Sequence, residues 1–290
     1  MFKDARTIYE EGKEEMSGET EFEEMSGFHV LESLWKIEYK AVSMEPIITQ
    51  AATEETQELV DSIIGKKIPK DMPDAVPLII GGKAVITGNA VKGVFRHLIS
   101  SQLTKAGLRV CCQKVKGRSG IPEGRVSECD PENPCFVCTW FGTPSRQGAL
   151  YFSLLRSVKG IEEVLADEPI PMIALREDYR AVDPKARAFM LLAPIRENVE
   201  FRGWIKGENL SKEIIGAIKE IQDMSERGFV QFGGYKTRGF GALKIEILKI
   251  EKYGTTPFKL EKLYEGEELR KFLEDCQRRY HSLMDRGKRS

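Results

Sequence analysis

Apolar and charged residues alternate along residues 34–42, and this period-two pattern is the strongest constraint on the fold. The apolar set is Trp35, Ile37, Tyr39 and Ala41, and the charged residues between them are Lys36, Glu38 and Lys40. Such alternation predicts a half-buried strand of an antiparallel sheet, with one face on the core and the other in water. A strand buried on both faces would instead be continuously apolar.

The rest of the chain interleaves similar strands with amphipathic helices. Strands are predicted at residues 76–80, 83–87, 149–155, 187–194, 199–205, 229–232 and 243–250, and helices at residues 88–107, 211–228 and 267–284. Gly81 and Gly82 between the first two of these strands predict a hairpin. We therefore expect an α+β fold whose largely antiparallel sheet is covered by helices on one face.

The chain is expected to consist of an acidic arm, residues 1–27, and a single domain, residues 28–290. A length of 290 residues with 41% hydrophobic content is enough for a buried core of that size. Two insertions are predicted in the domain, a cysteine-rich one at about residues 107–148 and a projecting loop or hairpin at 157–188. No apolar block resembles a signal peptide or a membrane span, so we expect a cytoplasmic protein without a membrane partner.

The net charge of -1 hides a strong segregation of charge along the chain. Residues 1–32 hold three basic and ten acidic side chains, whereas residues 88–125 hold eight basic side chains and one acidic one. A basic field this concentrated attracts polyanions such as nucleic acids. The alternative is that these side chains form an ordinary solvated surface.

Two basic, glycine-containing segments are the candidate polyanion sites. Gly88 begins a predicted helix with Lys92 and Arg96 one turn apart on one face, close to free backbone N–H groups at the helix start. Residues 233–241 hold four glycines together with Lys236 and Arg238, which brings backbone and positive charge to one surface. A dinucleotide fingerprint is excluded in the second segment, because a strand and not a helix follows it.

Five of the six cysteines lie between residues 111 and 138, a spacing that favours a metal site over disulfides. Cys135 and Cys138 have the two-residue gap that lets two thiolates bind one tetrahedral ion, and Cys129 lies six residues earlier. Cys111 or Cys112 would supply a fourth ligand, and the expected ion is a structural Zn²⁺. Reduced thiols without a metal and a redox pair remain the alternatives.

No nucleophile elbow, phosphate-binding loop or zinc-protease helix occurs in the sequence, so catalysis would depend on carboxylates. Asp71 and Asp74, in the proline-rich loop before the first hairpin, are the best-placed candidates. A carboxylate there could hold Mg²⁺ or Mn²⁺, or activate a 2'-hydroxyl group.

Several segments, taken in order, resemble the RAMP (repeat-associated mysterious protein) superfamily of CRISPR-associated proteins, in particular the backbone subunits of type III effector complexes. The matching segments are TGNAVKGVFR at residues 87–96, CFVCTWFG at 135–142, GALYFS at 148–153 and GGYKTRGFG at 233–241, with a weaker similarity at 182–203. The resemblance covers about residues 76–250. It has no counterpart for the acidic arm.

This resemblance implies a modified ferredoxin-like, RRM-like core and a subunit that stacks with other effector subunits or copies of itself along a guide RNA. The residues implied to contact guide RNA are Asn89, Lys92, Arg96, Lys236 and Arg238. Residues 157–188 would form the thumb of the family, where Arg176, Tyr179 and Arg180 would contact the duplex of guide RNA and complementary target RNA. Asp74 is the closest match to the loop aspartate with which some members cut target RNA.

The leading hypothesis is therefore a guide-RNA-binding structural subunit of a type III CRISPR ribonucleoprotein in antiviral defence, with target-RNA cleavage by Asp74 as an added activity. Two alternatives stay open at this point. One is a stand-alone metal-dependent endoribonuclease that processes precursor guide RNA. The other is a non-catalytic, zinc-stabilised protein-interaction module, which would not bind RNA.

Overall fold

The computed structural model describes residues 30–49, 54–64, 74–110, 129, 133–144, 146–173 and 189–287. Its strands are β1 Ser33–Ser43, β2 Leu78–Ile80, β3 Lys83–Ile86, β4 Leu150–Phe152, β5 Leu155–Ser157, β6 Ile170–Ile173, β7 Phe189–Leu192, β8 Glu200–Glu208, β9 Leu243–Thr255 and β10 Phe258–Tyr264. Its helices are α1 Glu54–Ile64, α2 Gly88–Lys105, α3 Phe136–Phe141, α4 Ile161–Val164, α5 Lys212–Glu226 and α6 Gly266–Gly287.

Eight strands form one antiparallel sheet in the order β10-β9-β1-β8-β5-β3-β2, and β4 also pairs with β8. Within it, β1, α2, β4 with β5, β8, α5 and β9 follow one another as β-α-β-β-α-β, the ferredoxin-like arrangement. The predicted α+β class and ferredoxin-like core are therefore confirmed. The hairpin β2–β3 extends the sheet on one side and β10 on the other.

One face of the sheet carries the core. Trp35, Ile37, Tyr39 and Ala41 of β1 are buried, as the alternation predicts, and their side chains join one cluster with residues of α2, α5 and α6. Burial of these apolar surfaces is the main stabilising contribution to the fold. The opposite face of β1, β8 and β9 is open and carries mostly charged side chains.

The predicted hairpin at Gly81 and Gly82 is present between β2 and β3. Both glycines have positive φ angles, 61° and 71°. A two-residue type I′ turn requires positive φ at both positions, because only then does its backbone match the right-handed twist of the two strands. A second antiparallel pair, β6–β7, lies outside the main sheet and frames residues 174–188. This pair falls within and beside the projecting segment predicted at 157–188.

Two local predictions differ from the structure. Strand β10 was not predicted, because most of its residues are exposed and it lacks a buried alternating face. The strand predicted at 229–232 is reduced to a single bridge between Gln231 and Ala242, since the glycine-rich segment that follows turns back immediately. No helix among the described residues is long and apolar enough to cross a bilayer.

Candidate nucleic-acid interface and metal centre

The start of helix α2 is held tightly against the sheet. Thr87 caps the helix by accepting a hydrogen bond from the N–H of Ala90 at 3.2 Å. A Cβ atom at Gly88 would lie 2.4 Å from the carbonyl oxygen of Phe152 on β4, so only glycine allows this approach. The glycine of the TGN segment therefore fixes where the basic face of the helix sits.

Lys92 lies one turn further along α2, beside the turn that joins α3 to β4. The two elements enclose a cleft of about 180 Å³ whose lining includes Lys92, Gly142, Arg146, Gln147 and Tyr151. Burial, followed by the nearby charge of Arg96, lowers the pKa of Lys92. An anion in the cleft would favour the charged ammonium group and offset both effects.

Arg96 and Asn89 take different positions around this cleft. Arg96 donates from Nη1 to the carbonyl oxygen of Gly142 at 3.1 Å and so ties the helix to the turn. Asn89 is exposed at the first turn of α2. The three predicted RNA contacts on α2 therefore differ: Lys92 is half-buried at the cleft, Arg96 holds the cleft wall, and Asn89 is exposed.

Arg146 and Gln147 belong to this cleft but were missed from the sequence. They fall between Gly142 and Gly148, in the gap between two segments that carried the resemblance. The sequence signal that could have indicated them is a basic residue, Arg146, between two nearby glycines. Gly142 has a φ of 79°, and a Cβ there would lie 2.6 Å from the nitrogen of Gly148, so the turn requires glycine.

The glycine-rich segment forms a compact loop at another part of the domain. Lys236 and Arg238 are both exposed on a short 3-10 turn. Gly233 has a φ of 84° and lies so close to Ile48 that a Cβ atom would be 2.0 Å from its carbonyl oxygen. The loop therefore presents two cations on a backbone that is fixed from beneath.

Asp74 lies beside the β6–β7 pair. Its Oδ2 atom accepts a hydrogen bond from the N–H of Leu191 at 2.9 Å, and its own N–H donates to the carbonyl oxygen of Leu191 at 2.8 Å. The carboxylate is therefore oriented by Leu191 of β7. Asp71 lies outside the described residues.

A small second core joins Asp74's neighbourhood to the glycine-rich loop. It contains Ile48, Ala75, Leu192 and Phe240, with Tyr235 packed at its side. Ala75 follows Asp74 directly, and Phe240 lies in the loop two residues after Arg238. The structure thus gathers Asp74, Lys236 and Arg238 around one cluster, while Lys92 and Arg96 are anchored at β4 and the Gly142 turn.

Cys129, Cys135 and Cys138 form one group, with their Sγ atoms all within 4.8 Å of one another. All three are buried. The N–H of Cys135 donates a hydrogen bond to the Sγ atom of Cys129 at 3.0 Å. Three thiols in this arrangement can bind a metal such as zinc.

The cysteine group also ties a chain segment to the core. Helix α3 begins after Cys135 and buries Trp140 and Phe141 against the main cluster. The ring of Phe141 stacks on Phe152 with centroids 6.0 Å apart, and Phe136 contacts Tyr280 of α6. A metal bound here would hold together elements that also form the wall of the Lys92 cleft.

Five of the residues predicted as ligands or contacts lie outside the described residues, namely Cys111, Cys112, Arg176, Tyr179 and Arg180, as does the whole acidic arm, residues 1–27. A fourth ligand from Cys111 or Cys112 and duplex contacts by Arg176 and Arg180 therefore stay predictions.

Comparison with known families gives one finding. A family model described as the RAMP superfamily matches residues 75–244, which is more than half of the 290 residues. The matched region includes the Lys92 cleft, the cysteine group and the glycine-rich loop. A search of curated proteins returns no match.

Proposed function

Because the chain belongs to the RAMP superfamily, we propose that it binds guide RNA as a structural subunit of a type III CRISPR ribonucleoprotein in antiviral defence. Family membership by itself supports the coarser role, that of a CRISPR-associated RNA-binding subunit. Proteins of this family generally bind CRISPR RNA and other effector subunits. The type III complex, the guide strand and stacking with other subunits or copies of itself belong to the proposal.

The Lys92 cleft is the observation that carries the proposal. The ammonium group of Lys92 is half-buried there, and Arg96 supports the Gly142 turn with a hydrogen bond. Backbone also packs closely against backbone at Gly88 and at Gly142. Phosphate oxygens fit such a site because they offer charge and several hydrogen-bond acceptors. No base edge needs to be read, which suits a subunit that binds guides of any sequence.

Lys236 and Arg238 supply a second phosphate contact in the proposal. Their exposure leaves both cations available to a polyanion, and the strained loop backbone keeps them at one position. Asn89 would add a hydrogen bond to a sugar or phosphate oxygen at the start of α2. Arg176 and Arg180 complete the proposed set on the side of the guide–target duplex.

Zinc is proposed as the ion of the cysteine group, with a structural role. The three buried thiols and the Cys-x-x-Cys spacing fit a tetrahedral site that Cys111 or Cys112 would complete. The ion would hold α3 and the Gly142 turn in place and so keep the Lys92 cleft open.

Target-RNA cleavage by Asp74 is the second part of the proposal. The Leu191 hydrogen bond orients the carboxylate, which would accept the proton of a 2'-hydroxyl group as its oxygen bonds to the adjacent phosphorus. The P–O5' bond breaks in the same step, and the departing 5'-oxygen takes a proton from water. Among the described residues, one group of three or more potential metal ligands is present, and it is the cysteine group. Asp74 belongs to no such group among the described residues, and a Mg²⁺ or Mn²⁺ ion beside it stays a prediction.

RNA co-purification tests the proposal. The protein would be isolated at moderate salt, and its nucleic acid compared with that of a Lys92→Ala/Arg96→Ala/Lys236→Ala/Arg238→Ala variant. Short RNA of uniform length on the wild type, lost from the variant, is the expected result. Absence of RNA from both, with no binding of added RNA at low salt, would overturn it and support the zinc-stabilised interaction module. Turnover of precursor RNA by the protein alone would support the stand-alone nuclease.

A further inference from the structure

The open face of the sheet carries a row of cations that the RNA contacts proposed above do not use. Lys40 of β1 lies directly opposite Arg202 of β8, and Arg202 lies directly opposite Arg156 of β5. Directly opposed residues point to the same face of a sheet with their Cβ atoms about 5 Å apart. Three positive side chains therefore follow one another across three strands.

Like charges in this position destabilise a sheet unless anions separate them. Two of the three cations have carboxylate partners: Lys40 forms an ion pair with Glu246 at 2.8 Å, and Arg202 with Glu200. Arg156 is exposed, and within the described part of the chain it has no ion-pair partner. The row therefore keeps an excess of positive charge at its β5 end.

A second row with the same character lies four residues further along β8. Lys206 is exposed and lies directly opposite Lys36 of β1. Lys36 is paired with Glu38 and lies 4.0 Å from Glu251, whereas Lys206 places its Nζ atom 4.5 Å from the ring centre of Trp204. At about 3.3 Å per residue, the two rows are separated by about 13 Å along the strand.

Trp204 stands between the two rows. Its backbone is fixed by Ser153, whose hydroxyl oxygen accepts the N–H of Trp204 at 2.8 Å and whose N–H donates to its carbonyl oxygen at 3.1 Å. Unlike Trp35 and Trp140, which are buried, Trp204 is partly exposed. A groove of about 510 Å³ runs along this face and is lined by Trp204, Arg202, Arg156, Glu38 and Leu248 among others.

We propose that this groove is a second binding surface for single-stranded RNA, separate from the Lys92 cleft and the glycine-rich loop. A base would stack on the ring of Trp204. The phosphate on one side of that base would contact Arg156 and Arg202, and the phosphate on the other side would contact Lys206. An indole platform between cations is the combination that binds single strands without reading their sequence. The residues differ from those of the proposed guide contacts, although the RNA-binding role of the chain is the common premise.

A protein partner is the competing occupant of this face, and charge argues against it. Protein interfaces bury aromatic and apolar surface with few charges at their centre. Here Arg156, Arg202 and Lys206 lie around the aromatic ring. The acidic residues of the face are already engaged: Glu38, Glu246 and Glu251 pair with lysines of β1 and β9, and Glu200 pairs with Arg202. A polyanion matches this surface better than an apolar patch of another subunit does.

Tryptophan fluorescence tests the proposal on the full chain. The protein has three tryptophans, and Trp204 is the one exposed to a ligand on the open face, so stacking of unlabelled oligouridylate should quench its emission. Total RNA binding would be followed in parallel by the anisotropy of a fluorescein-labelled oligouridylate. The quench is expected to persist in the Lys92→Ala/Lys236→Ala variant, which removes one cation from the Lys92 cleft and one from the glycine-rich loop.

Variants of the groove give the second arm. Arg156→Gln/Lys206→Gln should raise the RNA concentration needed for half of the quench by about five-fold or more. Lys259→Gln, on the exposed edge strand β10, should leave that concentration unchanged. In the Lys92→Ala/Lys236→Ala background, Trp204→Ala should reduce the anisotropy change more than Trp204→Phe does, because the phenyl ring keeps part of the stacking surface. Thermal unfolding of each variant would confirm that it is folded.

Each outcome separates this surface from the guide site. An anisotropy change without any quench of Trp204 would overturn the groove and leave the guide contacts standing. If RNA quenches the wild type and only the groove variants lose co-purified RNA, the result would overturn the guide contacts and support the groove. Protection of Trp204 from iodide that depends on protein concentration and not on RNA would identify a protein interface and overturn the proposal.

Discussion

Asp74 and Leu191 are joined by two hydrogen bonds that run in opposite directions between residues 117 positions apart. One links the two backbones, and the other ends on the Asp74 carboxylate. Asp74 and strand β7 are therefore fixed to each other. This relationship gives Asp74 a structural role beside the catalytic role that the resemblance implies, and the two roles can be separated.

Asp74→Asn keeps a hydrogen-bond acceptor for the Leu191 N–H but removes the negative charge. We expect this variant to fold with almost unchanged stability and to lose target-RNA cleavage in an assembled complex. Asp74→Ala should lose cleavage as well, and it should lower the free energy of unfolding by about 1–3 kcal/mol. Target cleavage at every site by both variants at the wild-type rate would remove the catalytic assignment.

Gly88→Ala should destabilise the protein. The added Cβ atom would meet the carbonyl oxygen of Phe152 at 2.4 Å, and backbone must move to relieve the overlap. We expect a loss of about 1–3 kcal/mol in urea unfolding together with weaker RNA binding. Gly93→Ala is the matched control on the same helix, because nothing lies within 4 Å of its Cβ position. It should stabilise the helix by about 0.5–1 kcal/mol; equal effects of the two substitutions would contradict the close-contact argument.

Removal of metal should destabilise the cysteine group. The wild type is expected to contain one zinc ion by elemental analysis, and a strong chelator should lower its Tm by about 5 °C or more. Cys138→Ser should lose the ion and no longer respond to chelator. Cys276→Ala, at a buried cysteine on α6 outside the group, should keep the full zinc content. A wild-type protein without zinc and with an unchanged Tm in chelator would show that the thiols are simply reduced core residues.

Cys276 should make the protein less stable in alkali. Burial raises the pKa of this thiol from 9.0 to about 12. Below pH 9 both folded and unfolded chains hold the proton, so the contribution is fully present. As the pH rises from 9 towards 12 only the unfolded chain ionises, and stability falls by up to about 1.4 kcal/mol per pH unit. The comparison is cleanest between pH 9 and 10, because burial also raises the pKa of Tyr39 and Tyr280 above the usual 10.0. Cys276→Ala should have the shallower slope in urea unfolding, and identical slopes would contradict this origin.

Lys92→Ala should change the salt dependence of RNA binding. Each phosphate contact to a single strand contributes about 0.7 to the slope of log affinity against log salt concentration, so the variant should lose about that amount. Lys105→Ala, at the far end of the same helix, should keep the wild-type slope. A Lys92→Ala slope equal to that of the wild type would place the phosphate elsewhere.

Much of the fold was predictable from the sequence because its signals are local. Strand β1 could be recognised from the side chains of residues 34–42, since each one's position relative to its neighbours decides which face it occupies. The hairpin at Gly81 and Gly82 follows in the same way from the conformations that glycine favours. Strand β10 gave no such signal, because it is held by pairing with β9 and not by a buried face of its own.

The candidate site was predictable in part for the same reason. Two residues separate Cys135 from Cys138, so their spacing alone indicated that their thiols could meet, and Cys129 was predicted to join them. The structure brings the three Sγ atoms within 4.8 Å of one another. Arg146 and Gln147 escaped notice because their role arises from a turn that folds back onto Lys92.

Local sequence patterns identified most of the strands and helices, the apolar faces of those elements, and the short motifs that carry charge or thiols. Only the tertiary structure decided that Asp74 meets Leu191, that the Gly142 turn closes over Lys92, and that Arg156, Arg202 and Lys40 stand in one row. The physical reason is register: pairing between strands far apart in the chain depends on the packing of the whole core, and a shift of one residue would reverse the face of every side chain.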